Sequence, residues 1–231
     1  TLTLSTSTTG GLTFNGAAET DGDFNITSSA AANDTITGGN NADSITCGTG
    51  TDVIAGGGGD DTLSFAASTG LTTADTVDGG TGIDTISLTG TTAVTATNFD
   101  NVSNIEVISL THTTTNVAIT TKDILVAAGA ALTLQATTLT TGILTFNGSA
   151  ETNGTFNITG GGAADVITGG AGNDIIDGGA GNNVITAGLG NDTITGGSGS
   201  ETFTFAAATG LTSADSVDGS SGTDTVALTG N

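Results

Sequence analysis

Acidic side chains recur at a fixed spacing along this chain. Residues 169–204 consist of four consecutive nine-residue units, GGAGNDIID, GGAGNNVIT, AGLGNDTIT and GGSGSETFT. The sixth position of each unit holds an oxygen-bearing side chain, and the eighth holds isoleucine or phenylalanine. The sixth positions are Asp174, Asn183, Asp192 and Glu201. Carboxylate and amide oxygens repeated in this way are suitable ligands for a hard cation.

The glycines and the eighth-position residues predict how one unit folds. Glycine permits the positive φ angles of a tight turn and lets backbone carbonyl groups approach one point. The last three residues then form a very short strand, whose middle side chain points inward while its neighbours point outward. One turn and one strand make half a coil, so two units close a coil of eighteen residues. The predicted fold is therefore all-β, a parallel β-roll or β-helix solenoid that continues into longer coils.

Stacking of such coils places sixth-position side chains above one another. The spacing between neighbouring strands is about 4.8 Å. Two stacks follow in this block: Asp165, Asn183 and Glu201 on one edge, and Asp174 with Asp192 on the other. Carboxylates at that distance repel by roughly 1 kcal/mol in water, and by more in a partly buried turn. Calcium reverses the sign of this interaction, because it binds about six to eight carboxylate and carbonyl oxygens.

An earlier block, residues 32–64, follows the same template. Asp34 stacks on Asp52, and Asp43 stacks on Asp61. The first unit of this block lacks the turn glycines, so we expect the site at Asp34 to be the weakest.

Two aspartate-rich loops continue the nine-residue spacing after the blocks. They extend the candidate sites, and Asp177 adds a carboxylate at the ninth position of a unit. The complete set of candidate metal ligands is Asp34, Asp43, Asp52, Asp61, Asp75, Asp78, Asp84, Asp165, Asp174, Asp177, Asn183, Asp192, Glu201, Asp215, Asp218 and Asp224.

A longer repeat organises the whole chain. LTFNGAAETDGDFNIT begins at Leu12, and LTFNGSAETNGTFNIT begins at Leu144. This repeat predicts an end of a preceding unit at 1–11, a first long repeat at 12–142 and a truncated second repeat at 143–231. The first repeat divides into a nonapeptide block at 29–64, a linking loop at 65–90 and a Thr-rich β segment at 91–142; the second divides into a block at 160–204 and a loop at 205–231. Because the sequence begins and ends inside a repeat, we expect a longer parent protein.

The repeated motif itself predicts two strands, LTFNG and FNIT. In the first copy Phe14, Phe24 and Ile26 are the inward candidates. The turn between the strands carries Glu19, and its counterpart carries Glu151. We interpret it as a surface turn, with a metal site through these glutamates as the alternative.

The Thr-rich segment has weaker signals. NIEVISL, NVAIT and LTLQ predict strands of longer coils, while residues 121–128 fit either a short helix or a corner. The single histidine, His112, lies in this segment, and we interpret it as a solvated residue.

The composition limits the partners. The 231 residues include 23 acidic side chains and one basic one, Lys122, which gives a formal net charge of −22. A chain without a basic surface cannot release counterions from nucleic-acid phosphates, and it is repelled by anionic membrane surfaces. The 35% hydrophobic content and mean hydropathy of +0.18 are nevertheless too apolar for a disordered chain. Bound cations would neutralise the charge and so allow a chain that is both strongly acidic and apolar enough to fold.

The sequence lacks a catalytic constellation. It contains no Gly-x-Ser-x-Gly, His-Glu-x-x-His or Gly-Lys-Ser/Thr motif, and one histidine with one cysteine leaves no nucleophile and base pair. We therefore expect no enzyme activity.

Cys47, the only cysteine, is interpreted as a small residue in a turn, with a crosslink between chains as the alternative. No apolar run approaches the length of a membrane span.

The nonapeptides, with Asp at position six and an aliphatic residue at position eight, resemble the RTX (repeats-in-toxin) family of calcium-binding repeats. Together with the loop GLTTADTVDGGTGIDTISLTG and the segment FDNVSNIEVISL, they resemble the RTX-type S-layer proteins of Gram-negative bacteria. Asn183 and Glu201 at position six and Cys47 at position one depart from the template.

This resemblance implies a structural protein with several bound calcium ions. It implies export by type I secretion, an extracellular location at the cell surface, and self-assembly into a lattice. The implied partners are further copies of the chain and, through another part of the parent protein, a cell-surface polysaccharide. The alternative is the stalk or repeat region of a large secreted RTX adhesin. Ice binding through threonine ranks is disfavoured, because Thr35 and Thr37 would stack on Val53 and Ala55.

The expected mechanism couples metal binding to folding. Without calcium the stacked carboxylates repel, and a thin aliphatic core cannot offset the chain entropy. At 1 mM calcium, sites with Kd of about 10⁻⁴ to 10⁻³ M stabilise the folded form by roughly 0.4 to 1.4 kcal/mol each.

Overall fold

The computed structural model describes residues 1–5, 10–90, 93–111, 114–206 and 209–230, with backbone alone at 67 and 68. The chain forms two compact units. Unit 1 comprises Thr1–Thr92 with Thr97–Thr111, and unit 2 comprises Ala93–Ala96 with His112–Asn231. Most of the Thr-rich segment therefore packs with the second nonapeptide block. His112 lies outside the described residues.

The described residues of unit 1 form eleven strands and one short helix. Two parallel sheets form, one in the order β1-β3-β5-β7-β9-β11 and the other in the order β2-β4-β6-β8-β10. The elements are β1 (Leu2–Ser5), β2 (Thr13–Asn15), β3 (Phe24–Thr27), β4 (Thr35–Thr37), β5 (Ser44–Thr46), β6 (Val53–Gly58), β7 (Thr62–Ala66), α1 (Ala67–Gly70), β8 (Thr76–Thr81), β9 (Thr85–Thr89), β10 (Val102–Ser103) and β11 (Val107–Leu110).

Unit 2 repeats this architecture. Its parallel sheets have the orders β13-β15-β17-β19-β21 and β12-β14-β16-β18-β20-β22. The elements are β12 (Val117–Thr120), β13 (Ala131–Gln135), β14 (Leu144–Asn147), β15 (Thr155–Thr159), β16 (Val166–Thr168), β17 (Ile175–Asp177), β18 (Val184–Thr186), β19 (Thr193–Thr195), β20 (Thr202–Ala206), β21 (Ser216–Asp218) and β22 (Thr225–Thr229).

The register confirms the predicted solenoid. Ile36 pairs with Ile54, and Ile176 pairs with Ile194, so strands eighteen residues apart are neighbours in one sheet. Successive nonapeptide strands alternate between the two sheets, because each glycine turn reverses the chain. Thr35 pairs with Val53, and this register interrupts a rank of outward threonines as expected.

The core of each unit is one side chain thick. Every eighth-position side chain is at most 1% exposed, and full burial of such a side chain contributes about 1.5–3 kcal/mol. Aromatic pairs fill the coils of the long-repeat motif, where the rings of Phe14 and Phe24, and those of Phe146 and Phe156, meet edge to face at 4.9 and 5.0 Å. The buried eighth positions are Ile36, Ile45, Ile54, Leu63, Ile167, Ile176, Ile185, Ile194 and Phe203.

The Thr-rich segment forms strands β11, β12 and β13, as the sequence predicts. Residues 121–128 form a corner of tight turns, with the Leu125 amide donating to the Lys122 carbonyl at 3.0 Å. Leu125 and Val126 are buried, so this corner covers one side of unit 2.

Helix α1 in the linking loop is the one helical element in the described part of the chain. None of the described helical residues belongs to a helix long and apolar enough to cross a membrane.

Strand β17 offers a direct test of the inward and outward assignment. Ile176 is 1% exposed, and its neighbour Ile175 is 54% exposed. Ile176→Asp places an unpaired charge in a core one residue thick, so we expect unit 2 to lose its β structure even in excess calcium. Ile175→Asp is the matched control and should fold like the unsubstituted chain. Far-UV circular dichroism in calcium measures both, and a folded Ile176→Asp variant would contradict the assignment.

Candidate metal centre

The sixth-position side chains of both blocks are buried in the turns. Their exposure does not exceed 3%, and the loop residues Asp75 and Asp84 are equally buried. Asp215 and Asp224, near the end of unit 2, are partly or fully exposed. The buried members are Asp34, Asp43, Asp52, Asp61, Asp75, Asp84, Asp165, Asp174, Asn183, Asp192 and Glu201.

One oxygen of each carboxylate binds the backbone of the preceding coil. Asp52 Oδ1 accepts from the Asp34 amide at 2.9 Å, and Asp75 Oδ1 accepts from the Asp52 amide at 2.7 Å. The stacked carboxylates thus have an N–H donor between them, which offsets part of their repulsion. The matching bonds in unit 2 join the Asp165 amide to Asn183 Oδ1 (2.9 Å), the Asp174 amide to Asp192 Oδ1 (2.9 Å), the Asp192 amide to Asp215 Oδ1 (2.8 Å) and the Glu201 amide to Asp224 Oδ1 (3.0 Å).

The second stack of unit 1 contains a member that sequence reasoning missed. Asp61 Oδ1 binds the Asp43 amide at 2.7 Å, Asp84 Oδ1 binds the Asp61 amide at 2.9 Å, and Glu106 Oε2 binds the Asp84 amide at 2.9 Å. Glu106 lies in the Thr-rich segment, outside any nonapeptide. The available signal was its position immediately before β11, since each stacked carboxylate directly precedes a strand.

Three predicted ligands lie on strands instead of in turns. Asp78, Asp177 and Asp218 each occupy the third position of a strand. Asp78 Oδ1 accepts from Asn104 Nδ2 at 2.7 Å, and Asp177 Oδ1 and Asp218 Oδ1 accept from the Gly179 and Ser220 amides at 2.9 and 2.8 Å. Asp177 and Asp218 therefore bind amides of their own turns, and Asp78 binds a side chain of the following coil. None of the three is a member of the sixth-position stacks.

The second oxygen of a stacked carboxylate has one of two environments. In the first, it accepts from the second glycine of its own turn: Gly39 binds Asp43 Oδ2 at 2.7 Å, and Gly170 binds Asp174 Oδ2 at 2.8 Å. The turn that ends at Asp165 does the same. These turns are closed, because a backbone N–H occupies the oxygen.

In the second environment, the glycine has a positive φ and its N–H does not bind the carboxylate. Gly57, Gly80, Gly188 and Gly197 have φ of 109°, 107°, 110° and 99°. Asp61, Asp84 and Asp192 then each have a buried Oδ2 without a hydrogen-bond partner, and Glu201 has two such oxygens. Asp52 Oδ2 is also unpartnered, since Gly48 donates to Ser28 Oγ instead. These turns are open.

The open turns fit a hard cation. A methyl group on Gly56 would strike Asp61 Oδ2 and the Gly79 carbonyl oxygen, so both oxygens converge on that glycine. Calcium requires this mixture of carboxylate and carbonyl oxygens. Among the described residues no group of three or more Asp, Glu, His or Cys side chains converges as a metal site. Backbone carbonyls must therefore complete the coordination that the paired carboxylates begin.

Burial makes ionised carboxylates costly in these turns. The pKa of Asp61 is raised to about 7, first by burial, against the lowering effect of the Asp43 amide, and then by the charges of Asp84 and Asp43. Burial raises the pKa of Asp84 and that of Asp174 to about 6, again with contributions from neighbouring carboxylates. Burial also raises the pKa of Glu201. A cation supplies the positive charge that this environment lacks.

The residues that depart from the template have distinct environments. Asn183 keeps the stack intact through Oδ1, while its Nδ2 donates to the Gly196 carbonyl at 3.3 Å. At Asp34, in the turn without glycines, both carboxylate oxygens accept from the Ser29 hydroxyl at 2.9 and 3.0 Å. Cys47 is 4% exposed, and burial raises the pKa of its thiol, so its sulfur is not accessible for a crosslink between chains.

Fifth-position residues form another series of bonds that sequence reasoning missed. Asn33 Oδ1 accepts from the Thr51 amide at 2.9 Å, and Asn173 Oδ1 accepts from the Asn191 amide at 2.8 Å. These bonds run from each coil to the next one, opposite in direction to the carboxylate bonds. The recurrence of asparagine before the sixth position was the signal in the sequence.

The open turn of Asp61 and the glycine-free turn of Asp34 predict different calcium responses. Asp61→Asn removes the charge of an open turn, so it should lower calcium-dependent stability by roughly 0.4 to 1.4 kcal/mol at 1 mM calcium. Asp34→Asn is the control, because the Ser29 hydroxyl can donate to or accept from the new side chain, and it should cost less. Calcium titrations followed by far-UV circular dichroism measure both midpoints. Equal shifts would contradict the distinction.

The raised pKa values predict a pH dependence for the calcium-free chain. A carboxyl group whose folded pKa is raised stabilises the fold while protonated, so its contribution is complete below about pH 4 and is lost as pH rises through its folded pKa. For Asp61, Asp84 and Asp174, whose folded pKa values are about 6 to 7, this loss of stability is expected as the pH rises to about 6 to 7. In chelator, the circular dichroism signal of β structure should fall over this range, whereas calcium should abolish the loss. A β signal that increases with pH in chelator would oppose this account.

The nonapeptide geometry agrees with a comparison with known families. The family model of the RTX calcium-binding nonapeptide repeat (four copies) matches residues 30–63, 69–88, 157–185, 177–206 and 208–229, together more than half of the chain. No curated protein matches the sequence. The matched ranges include both aspartate-rich loops and leave residues 89–156 outside. The chain belongs to the family of RTX calcium-binding repeat proteins.

Proposed function

We propose that this chain is part of a secreted surface-layer protein, which calcium folds outside the cell and which assembles with copies of itself into a lattice. The observation that carries the proposal is the set of open turns, with buried carboxylate oxygens that lack a hydrogen-bond partner. A chain of this charge is poorly folded until a cation occupies those turns. Calcium therefore acts as the folding signal.

The chain's own residues supply the coupling between calcium and folding. Calcium, when bound, provides positive charge between carboxylates of neighbouring coils. Asp61 and Asp192 present free oxygens only when their coils are stacked, because the same carboxylates must first bind the amides of the preceding coil. Binding thus selects the folded form, and the stabilisation accumulates over the stack. A chain that remains unfolded at low calcium suits export through a type I secretion channel.

The outward faces favour lateral association. The sheet of β12, β14, β16, β18, β20 and β22 has no Asp, Glu, Lys or Arg in its strands. Val166 and Val184 are neighbours on this face and are 41% and 40% exposed. Acidic side chains are absent from the strands of this sheet, so the face can pack against another copy without charge repulsion from its strands.

The remaining assignments belong to the same proposal. We assign a structural role without enzyme activity, an extracellular location at the cell surface, and no interaction with nucleic acid or insertion into a membrane. A cell-surface polysaccharide would be bound through another part of the parent protein. The alternative is the stalk of a large secreted RTX adhesin, which is favoured by the serial stacking of coils within each unit.

Electron microscopy of the full-length protein separates the two roles. At millimolar calcium, we expect ordered two-dimensional sheets that disperse when calcium is chelated. Isolated rods that form only with calcium would support a stalk and contradict the surface layer. Sheets that persist after chelation would contradict a calcium-dependent assembly.

A substitution on the uncharged face tests the lateral contact. Val184→Asp adds one charge on the outward side of β18, where it should leave calcium-dependent folding unchanged and reduce the order of the sheets. Thr193→Asp on β19, an outward position of the other sheet, is the matched control. Equal effects of both variants would show that this face has no special part in the assembly.

A further inference from the structure

Glu151 is a fully buried carboxylate outside the nonapeptide template. Its exposure is 0%, and its Oε2 atom has no hydrogen-bond partner among the described residues. The other oxygen, Oε1, accepts from the Asn153 and Gly154 amides of its own turn at 3.1 and 2.8 Å. The side chain is therefore fixed in place with one oxygen unused.

The turn of Glu151 lies directly beside a nonapeptide turn. It connects β14 to β15, and the turn from Gly169 to Asp174 connects β16 to β17 in the neighbouring coil. The Ala171 amide donates to the Glu151 carbonyl at 3.0 Å. A methyl group on Gly170 would lie 3.3 Å from Glu151 Cβ, so the two turns are in contact.

This pair of turns lacks one of the two carboxylates found between other stacked turns. Phe156 occupies the position that corresponds to Asp174, because the next residues, Asn157 and Ile175, pair in the sheet. Asp174 Oδ1 accordingly binds the Phe156 amide at 2.8 Å. Glu151 is the acidic side chain that this turn provides instead, and its charge adds to burial and to the charge of Asp192 in raising the pKa of Asp174.

The surroundings of Glu151 and Asp174 favour a bound cation. Two buried carboxylates repel each other strongly in a site of low dielectric constant, and an unpaired buried charge is costly. A carboxylate that already accepts one N–H bond per oxygen retains further lone pairs for a metal. An open groove lined by Glu151, Thr152, Gly170 and Leu189 provides a path from solvent to these turns.

We propose that Glu151 is a calcium ligand, which together with Asp174 and backbone carbonyl oxygens forms a site between the β14–β15 turn and the β16–β17 turn. Glu151 lies outside the residues matched by the nonapeptide family, which resume at residue 157, whereas Asp174 lies within them. This inference rests on the calcium binding that the proposed function requires. The proposal extends the calcium sites from the nonapeptides to the long-repeat motif that begins at Leu144 and contains Glu151.

The first long repeat contains a natural control. Glu19 occupies the same position, and its carbonyl accepts from the Asn40 amide at 3.1 Å, as that of Glu151 does from Ala171. Glu19 is, however, partly exposed, and its Oε1 makes longer bonds of 3.2 Å to the Thr20 and Asp21 amides. In unit 2 the Asp123 carboxylate binds the Thr152 amide at 2.8 Å and helps to hold the corner over the turn.

The test counts calcium ions on the 231-residue chain by native mass spectrometry across a calcium titration. Glu151→Gln keeps an oxygen for the two turn amides and loses the charge, so we expect one calcium fewer at saturation. Glu19→Gln should bind the same number as the unsubstituted chain. An unchanged count and affinity for Glu151→Gln would overturn the inference.

The outcome is separable from the proposed function. An unsubstituted chain that bound no calcium would overturn the calcium function itself, whereas an unaffected Glu151→Gln variant would overturn this site alone. Anomalous diffraction from crystals of the unsubstituted protein grown in calcium gives an answer that does not depend on the folding of a variant. A calcium within about 2.3 to 2.6 Å of Glu151 Oε2 supports the site, and its absence there overturns it.

Discussion

The structure depends on carboxylates that are buried against backbone amides. Each sixth-position aspartate gives one oxygen to the N–H of the preceding coil, so it acts as a structural acceptor before it acts as a ligand. The second oxygen then decides the character of the turn. It is either occupied by a glycine N–H or left without a partner, and the latter case is tolerable only with a proton or a cation nearby.

This constraint explains why a strongly acidic chain can have a thin core. A layer one side chain thick contributes limited hydrophobic stabilisation, and each unit contains few large aromatic side chains. The carboxylate stacks add many backbone hydrogen bonds, but these carry charge into a dry environment. The cation is thus part of the fold, because it offsets the free-energy cost of the negative charges that these hydrogen bonds bury.

The sequence predicted the features that follow from periodicity. An apolar residue, usually isoleucine, at the eighth position of each nonapeptide predicted the core, the coil length and the alternation of strands between two sheets. The nine-residue step between Asp75 and Asp84 also indicated two carboxylates beyond the nonapeptides, and both are buried directly before a strand. Their calcium binding stays a prediction. Glu106 and Glu151 were harder to assign, because they act on the same stacks from segments with different spacing.

Other features depend on geometry that composition does not encode. The same Gly-Gly pair adopts a closed turn at Gly170 and an open one at Gly197, according to the φ of the second glycine and the coil that it contacts. Asp177, which was predicted as a ligand at the ninth position of its unit, lies on β17 and accepts from the Gly179 amide. The corner at residues 121–128 contains helix-forming residues, but burial of Leu125 and Val126 in tight turns determines its conformation.

The two series of side-chain bonds give the coil stack a direction. Sixth-position carboxylates reach back to the preceding coil, whereas fifth-position asparagines reach forward to the following one. The two ends of a stack are therefore chemically different. The first coil offers sixth-position carboxylate acceptors and fifth-position amide donors, whereas the last coil offers sixth-position amide donors and fifth-position carboxamide acceptors. Copies joined end to end can continue this bonding only head to tail, so any row built through such contacts would be polar, with a defined beginning and end.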